Sequence, residues 1–258
     1  MSAPLHLLRL KQCMYDMKLI GDQIRIACVG DSITQGFGSH KFQHSYPLLL
    51  GRQLGADFLV MNFGVSSSTA MDVLSPSEFP YTSSRMFNDS IHSNPDIVIL
   101  QLGTNDAKKW NWDEYYFILS YLRIVHIYRM LPSYPRIFLV VPPPVYRDII
   151  VNHELSAIDE TVVNVRFPAI FQKLSTNLNI PLINFFGVLG GRNQSRANDA
   201  HMGVRWTSDG IHPNDRGYEV LAKEAMRVLM RTQKIHDRVI QSKDPLHLGV
   251  LNFWGWLD

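Results

Sequence analysis

The stretch that decides the fold is Ile24–Gly36, Ile-Arg-Ile-Ala-Cys-Val-Gly-Asp-Ser-Ile-Thr-Gln-Gly. Its first six residues are apolar apart from one arginine, a pattern typical of a buried parallel strand. Gly30 ends this run, and Gly36 and Gly38 keep the next residues free of bulk, as a tight strand-to-helix turn requires. Ser32 is therefore predicted to lie at the carboxyl end of a central strand, where open α/β sheets place their chemistry. On this stretch alone, Ser32 could equally cap a helix or belong to a phosphate-binding loop.

Further apolar runs alternate with helical patterns along the rest of the chain. The predicted strands cover residues 24–29, 58–61, 97–102, 137–141 and 181–185. The predicted helices cover 48–54, 81–92, 112–130, 156–178 and 215–232, with a kink or break at Pro168 in the fourth. This alternation implies a parallel sheet with right-handed crossovers and helices on both faces. We therefore expect one three-layer α/β/α domain.

The length and composition fit one domain of a large α/β class. Of the 258 residues, 46% are hydrophobic and 19% charged, so a sizeable core is expected and disorder is not. A net charge of +2 gives no reason to expect nucleic acid as a partner. No run reaches the uncharged length of a membrane span, and residues 1–20 lack the features of a signal peptide, so the default expectation is a cytoplasmic protein. With Cys13 and Cys28 as the only cysteines, no disulfide framework is expected.

The domain is expected to span the whole chain, residues 1–258, with its core at about 22–235. An N-terminal extension at 1–21 precedes the core, and an apolar, aromatic tail at 236–258 follows it. A tail of this composition could pack on the domain or bind a second copy of the chain. A homo-oligomer formed through the tail is therefore one possible assembly.

Polar side chains follow three of the predicted strands. The strand ends are Gly30-Asp31-Ser32, Asn62-Phe63-Gly64 and Gly103-Thr104-Asn105-Asp106, and a late loop adds Asp209 and His212. In a parallel sheet, the carboxyl ends of the strands lie at one edge. Residues far apart in the chain are therefore expected to meet in one cleft.

The residue types at this edge match the needs of acyl transfer. A serine hydroxyl is a poor nucleophile until a base takes its proton, and His212 is the candidate base for Ser32. Asp209 precedes His212 by three residues, so one turn of chain could bring its carboxylate to the other imidazole nitrogen. Asp31 and Asp106 are rival carboxylates, but the spacing favours Asp209, and Asp106 is expected to brace its loop instead.

A tetrahedral oxyanion needs hydrogen-bond donors, and three are expected at this edge. They are the backbone N–H groups of Ser32 and Gly64 and the side-chain amide of Asn105. Gly64 could instead be an ordinary turn glycine, and Asn105 a loop cap. Four residues around these positions are candidates for lining the substrate pocket: Asp31, Val65, Thr104 and Trp206.

The ordered blocks resemble those of the SGNH hydrolases, the GDSL esterase/lipase superfamily. The nucleophile block corresponds to Gly30-Asp31-Ser32-Ile33, the glycine block to Gly64, the third block to Gly103-Thr104-Asn105-Asp106 and the last to Asp209-Gly210-Ile211-His212. The resemblance implies a flavodoxin-like sheet of five parallel strands. It also implies a serine esterase that forms a covalent acyl-enzyme and needs no metal or other cofactor.

The sequence around the blocks is similar to the branch that contains carbohydrate acetylesterases and sialate-O-acetylesterase-like proteins. The similarity covers residues 62–66, 102–106 and 141–145. The resulting hypothesis is an esterase that removes a short acyl group, most simply acetyl, from a small-molecule or carbohydrate ester. The alternatives are a lysophospholipase or thioesterase with a longer apolar groove, and a non-catalytic binding protein with the same fold. The nine histidines other than His212 show no metal-ligand spacing, so no metal site is expected.

Overall fold

The computed structural model describes residues 23–40, 44–72, 79–150, 152–191 and 206–241, the last nine of them by their backbone alone. In this part of the chain five strands form one sheet: β1 (Ile24–Gly30), β2 (Phe58–Gly64), β3 (Ile97–Gln101), β4 (Arg136–Val141) and β5 (Leu182–Asn184). The α-helices are α1 (Ser32–Gln35), α2 (Tyr46–Leu54), α3 (Arg85–His92), α4 (Glu114–Arg129), α5 (Phe167–Leu178), α6 (Phe185–Val188) and α7 (Asp215–Gln241). Short 3₁₀ turns lie at Tyr81–Ser83, Arg147–Ile149 and Leu155–Ala157, and a π-helical segment at Val162–Arg166.

The sheet is parallel throughout and has the strand order β2-β1-β3-β4-β5. This is the flavodoxin-like order, in which the chain turns back at the first strand and opens a crevice between β1 and β3. Gly30 is paired with Gly64 on one side and with Gln101 on the other. The ends of the three strands that carry the polar blocks therefore lie side by side at one edge.

Two apolar cores, one on each face of the sheet, hold the layers together. Successive β1 residues point to opposite faces, so Ala27 and Val29 enter one core while Ile26 and Cys28 enter the other. The first core is closed by α3, α4 and α5, and the second by α2, α6 and α7. The structure therefore confirms the predicted three-layer α/β/α sandwich with a five-stranded parallel sheet.

Two elements differ from the sequence prediction. The helix predicted for 156–178 is preceded by a 3₁₀ turn at Leu155–Ala157, is helical from residue 160, and contains the π-helical segment Val162–Arg166 before α5. The π-helical segment lies directly before Pro168 and interrupts the regular α-helix there, as the predicted kink or break at this proline requires. The last helix, α7, continues to Gln241, beyond the predicted end at residue 232.

The expectations for the two chain ends lie outside the described residues. These are the extension at 1–21 and the part of the aromatic tail after residue 241, including its suggested role in a homo-oligomer. Within the described residues, no helix combines the length and apolarity that a membrane crossing requires.

Candidate active site

Ser32 is the first residue of α1 and sits directly beyond the end of β1. The Asp31 carboxylate caps this short helix by accepting the N–H of Ile33 at 2.9 Å. Gly36 ends the helix in the left-handed conformation, with φ of 104°, and its N–H donates to the carbonyl of Ser32 at 3.0 Å. The turn thus holds Ser32 at the carboxyl edge of the sheet. Ser32 itself is only 8% exposed.

Two glycines allow α1 to pass closely over the strand ends. A Cβ on Gly30 would lie 2.4 Å from the carbonyl oxygen of Gln101, and a Cβ on Gly64 would lie 2.2 Å from the backbone nitrogen of Gln35. Neither contact can be relieved by turning a side chain, because both involve backbone atoms. The close approach of α1 to β2 therefore requires glycine at position 64, and the close approach of β1 to β3 requires it at position 30.

A continuous chain of hydrogen bonds joins Ser32, His212 and Asp209. Ser32 Oγ lies 2.9 Å from His212 Nε2, although 180 positions separate the two residues in sequence. On the other side of the imidazole, Nδ1 lies 2.6 Å from Asp209 Oδ2. A neutral His212 that carries its proton on Nδ1 would donate to Asp209 and accept from the Ser32 hydroxyl.

The loop before α7 holds Asp209 in place by its own backbone. Asp209 Oδ1 accepts the N–H groups of Ile211 at 2.9 Å and of His212 at 2.8 Å. Burial alone would raise the pKa of Asp209, but these bonds and the adjacent imidazole outweigh it and bring the pKa down to about 2. Asp209 is therefore ionised near neutral pH, as the partner of an imidazole that gains a proton must be.

The aromatic ring of Phe37 packs against the imidazole ring of His212. The ring centroids of Phe37 and His212 are 4.5 Å apart. Gly38, in the left-handed conformation with φ of 88°, passes so close that a Cβ there would lie 2.8 Å from the Cβ of His212. These contacts restrict the imidazole to the orientation that faces Ser32.

The three expected oxyanion donors differ in whether their N–H hydrogens already donate to another group. Asn105 uses one of its two Nδ2 hydrogens to bond the carbonyl of Ser68 at 3.0 Å, so the second remains for another acceptor. The N–H of Ser32 lies in the first turn of α1, where backbone donors have no partner inside the helix. The N–H of Gly64, in contrast, donates to Asn62 Oδ1 at 2.9 Å. The expectation that Gly64 offers its N–H is therefore corrected: its role here is to let β2 and α1 pack closely.

Ser67 is a residue that the sequence analysis missed. It lies in the exposed loop after β2 and adopts a left-handed conformation, with φ of 63°, that residues with a side chain rarely take. Among the described residues its N–H donates to no other group. The run of serines at this point carried no signal of the unusual conformation, because a glycine is the usual mark of a positive φ.

The four candidates for the pocket wall fall into two groups. Asp31 and Thr104 are buried, at 0% and 3% exposure. Because Ser32 and His212 are themselves only 8% and 7% exposed, Thr104 stays a candidate for the pocket wall. The Asp31 carboxylate turns inward because it caps α1 and accepts from Gln101 Nε2 at 3.3 Å. Val65 and Trp206 are both partly buried, Val65 against the first core and Trp206 against the second.

Two buried carboxylates lie beneath the site. Burial raises the pKa of Asp31 to about 6, although the Ile33 N–H and the neighbouring His212 lower it in part. Burial also raises the pKa of Asp106 to about 7, against the effect of its hydrogen bonds from Ala70 and Met71. Neither carboxylate is bonded to the imidazole, whose partner is Asp209.

The described residues include no group of three or more His, Cys, Asp or Glu side chains placed to hold a metal ion. What the arrangement can do chemically is take a proton from the Ser32 hydroxyl and hold the resulting imidazolium against a fixed carboxylate.

Comparison with known proteins gives matches to ester-cleaving enzymes. The sequence model of the GDSL-like lipase/acylhydrolase family matches residues 28–220. An acetylxylan esterase from Xylanibacter ruminicola is 29% identical over 222 residues, which cover 78% of this chain and 42% of that protein. The chain therefore spans less than half the length of this relative.

Solved structures of similar fold include two bacterial esterases. A carbohydrate acetylesterase family member from Sinorhizobium meliloti superposes with a TM-score of 0.61 at 19% identity, covering 81% of this chain and 100% of that one. The aryl esterase of M. smegmatis gives a TM-score of 0.64 at 20% identity, covering 82% of this chain and 99% of that one. At these identities the likeness is one of fold.

Proposed function

The chain belongs to the GDSL-like lipase/acylhydrolase family, and on that premise we propose that it is a serine esterase that removes acetyl groups from carbohydrate esters. The observation that carries this proposal is the unbroken hydrogen-bond chain from Ser32 through His212 to Asp209. The similarity to an acetylxylan esterase supports acetyl as the acyl group and a carbohydrate as the alcohol.

In the first half of the reaction, Ser32 Oγ attacks the ester carbonyl carbon while His212 Nε2 takes the hydroxyl proton. The ionised Asp209 stabilises the imidazolium that forms. The tetrahedral intermediate collapses when its C–O bond to the alcohol breaks and His212 returns the proton to the departing oxygen. An acetyl group then remains on Ser32.

The second half uses the same residues with water in place of the alcohol. His212 removes a proton from a water molecule, whose oxygen attacks the acetyl carbon of the acyl-enzyme. The bond to Ser32 Oγ then breaks, and the serine recovers its proton from His212 as acetic acid leaves. Because acid and base are one imidazole, both halves depend on the contact of 2.9 Å between Ser32 and His212.

The negative oxygen of each tetrahedral intermediate needs donors that are already in place. We assign this role to the N–H of Ser32, the second Nδ2 hydrogen of Asn105 and the N–H of Ser67. Asn105 and Ser67 are linked through Ser68, whose carbonyl accepts from Asn105. Loss of one such donor typically slows an acyl transfer by about 100- to 1000-fold.

The test is hydrolysis of p-nitrophenyl acetate, butyrate and octanoate, and of acetylated xylo-oligosaccharides, by wild type and by Ser32→Ala. We expect wild type to prefer acetate and to release acetate from the oligosaccharide, and Ser32→Ala to do neither while keeping its circular dichroism spectrum. Ser93→Ala is a matched control, since it removes a hydroxyl that bonds the Ser90 carbonyl at the far end of α3. It should keep wild-type rates.

Each contrary result has a distinct meaning. A preference for octanoate would favour a lysophospholipase or thioesterase over the acetylesterase. Activity on p-nitrophenyl acetate without any on the oligosaccharide would remove the carbohydrate from the proposal and leave the esterase. A folded wild type that hydrolyses no ester would favour a non-catalytic binding protein.

A further inference from the structure

Asp106 connects the loop after β3 to the loop after β2. Its side chain is fully buried, and each carboxylate oxygen accepts one backbone N–H from the second loop. Oδ2 accepts from Ala70 at 3.0 Å and Oδ1 accepts from Met71 at 2.9 Å. The two oxygens therefore hold two consecutive peptide units.

A third bond joins the same two loops one residue away. The side chain of Asn105 donates to the carbonyl of Ser68 at 3.0 Å, next to Ser67 with its left-handed backbone. The segment from Ser67 to Met71 is thus tied to Asn105 and Asp106 at three points. Since Ser67 and Asn105 are two of the assigned oxyanion donors, these ties fix one donor relative to the other.

We propose that Asp106 is a positioning residue for the oxyanion hole, with a carboxylate that clamps the loop after β2 so that the Ser67 N–H and the Asn105 amide point at the same oxygen. The inference rests on the proposed function, because it assumes that an oxyanion forms at Ser32. Asp106 touches neither the substrate nor the reacting atoms in this role. It acts through the peptide units of Ala70 and Met71.

The chemistry of the clamp requires a carboxylate. Two N–H groups that point at one side chain need two acceptor atoms, and a carboxamide offers only one oxygen beside a donating NH₂ group. Keeping an acid here costs free energy, because burial, together with the nearby Asp31, raises the pKa of Asp106 to about 7 even though the bonds from Ala70 and Met71 lower it. A buried acid held against that cost suits a position where the geometry of the loop matters.

The neighbouring Asp72 supplies a matched control. It lies directly after Met71 in the same loop, but its carboxylate bonds outward to Arg123 at 2.9 Å and Thr82 at 3.0 Å. Asp72→Asn therefore weakens the anchoring of the same loop without changing the side that carries Ser67. Comparing the two variants separates positioning of the donors from general support of the loop.

The experiment measures kcat and KM for p-nitrophenyl acetate, and affinity for a boronic acid that forms a tetrahedral adduct with the serine. For Asp106→Asn we expect kcat to fall about 10- to 100-fold with KM within about twofold, and the boronic acid to bind more weakly by a similar factor. Asp72→Asn should keep kcat within about twofold. If Asp106→Asn does not fold, Asp106→Ser, which keeps one oxygen acceptor in a smaller side chain, is measured with the same expectation.

Hydrogen exchange gives a readout that does not depend on turnover. The amides of Ala70 and Met71 should exchange faster in Asp106→Asn than in wild type or Asp72→Asn. Unchanged kcat, a loss carried by KM alone, or equal losses in the Asp106 and Asp72 variants would overturn the proposal. A wild type inactive on every ester would remove the proposed function itself, whereas an active wild type with an unaffected Asp106→Asn would remove only the role of Asp106.

Discussion

Asp209 has two tasks at once, and a single substitution can separate them. One oxygen accepts the backbone N–H groups of Ile211 and His212, and the other accepts from the imidazole. In Asp209→Asn the remaining oxygen can keep the loop in shape while the NH₂ group faces Nδ1. The imidazole is then driven to the tautomer that cannot accept the Ser32 proton.

We therefore expect Asp209→Asn to fold normally and to lose about 10³- to 10⁴-fold in kcat for p-nitrophenyl acetate, the effect typical of such triads. Asp89→Asn, at the surface ion pair with Arg85, serves as the control and should match wild type. A decrease of less than tenfold for Asp209→Asn would mean that another group orients His212.

Ser67 offers a test of backbone conformation at the site. Its φ of 63° costs an L-residue roughly 1–2 kcal/mol, and more for a β-branched side chain. Ser67→Gly should therefore keep kcat within about twofold with unchanged or higher stability. Ser67→Val should lower both the free energy of unfolding, by about 1–2 kcal/mol, and kcat. Urea denaturation measures the free energy of unfolding, and steady-state kinetics measure kcat. A Ser67→Val variant with wild-type values of both would rule out a conformational requirement at this position.

The sequence predicted the residues of the site that depend on topology, and missed those that depend on local conformation. Ser32, Asn105 and His212 each follow from a strand end or a late loop with characteristic spacing, and the structure brings them to one edge. The inward turn of Asp31 could not be read from spacing, because both a helix cap and a pocket wall suit an aspartate at a turn. Ser67 gave no sign because its conformation is imposed by the surrounding loop.

At the scale of elements, the glycine at the end of β2 and a glycine inside α2 should respond oppositely to alanine. A Cβ on Gly64 would meet the backbone of Gln35 at 2.2 Å, whereas a Cβ on Gly51 would meet Val60 at an ordinary 3.4 Å. Gly64→Ala is expected to lower the free energy of unfolding by at least about 1–3 kcal/mol because α1 must move off the sheet. Gly51→Ala should raise it by up to about 1 kcal/mol, because alanine favours the helix.

Denaturant unfolding of the two variants measures both effects. The kcat of Gly64→Ala should fall as well, since α1 carries Ser32, while that of Gly51→Ala should not change. Wild-type stability in Gly64→Ala would mean that α1 can shift without cost, which would contradict the close packing at the strand ends.

The helix around Pro168 shows which details of an element apolar spacing does not predict. Apolar spacing over 156–178 predicts one helix, but it cannot register the extra residue per turn of the π-helical segment Val162–Arg166. In the structure, Asn164 of that segment pairs with the backbone of Val145. It accepts the N–H of Val145 at 2.9 Å and donates to the Val145 carbonyl at 2.8 Å. This long-range pairing supports the chain after β4, and no local pattern announces it.

For the whole molecule, the fold class and the family were both predictable, because they depend on features repeated along the chain. Five strand patterns with intervening helices determine a parallel sheet, and the confirmed family match spans residues 28–220. The burial of particular carboxylates was not predictable in this way. It depends on which carboxylates the finished fold encloses, and the sequence does not distinguish Asp31 and Asp106 from exposed aspartates.

The enclosed carboxylates make the stability of the whole molecule depend on pH. Where folding raises the pKa of an acid, the folded state holds the proton more tightly, so stability is lost as pH rises from the unfolded pKa to the folded one. For Asp106 that window runs from about 4 to about 7, and for Asp31 from about 4 to about 6. Asp209 has the opposite sign: its stabilising effect is present above about 4 and is lost as pH falls towards 2.

These signs predict how Asp106→Asn should compare with wild type as pH changes. Between pH 5 and about pH 7 the unfolded wild type has lost the Asp106 proton while the folded protein still holds it, so the wild type loses stability, whereas asparagine does not titrate. The free energy of unfolding of the variant minus that of wild type should therefore shift in favour of the variant from pH 5 to pH 8, whatever its sign at pH 5. Urea denaturation at pH 5, 6, 7 and 8 measures this difference, with Asp89→Asn as a control for buffer effects. A difference that stays constant would mean that Asp106 ionises in the folded protein as easily as in the unfolded chain, and that its two backbone hydrogen bonds fully offset its burial.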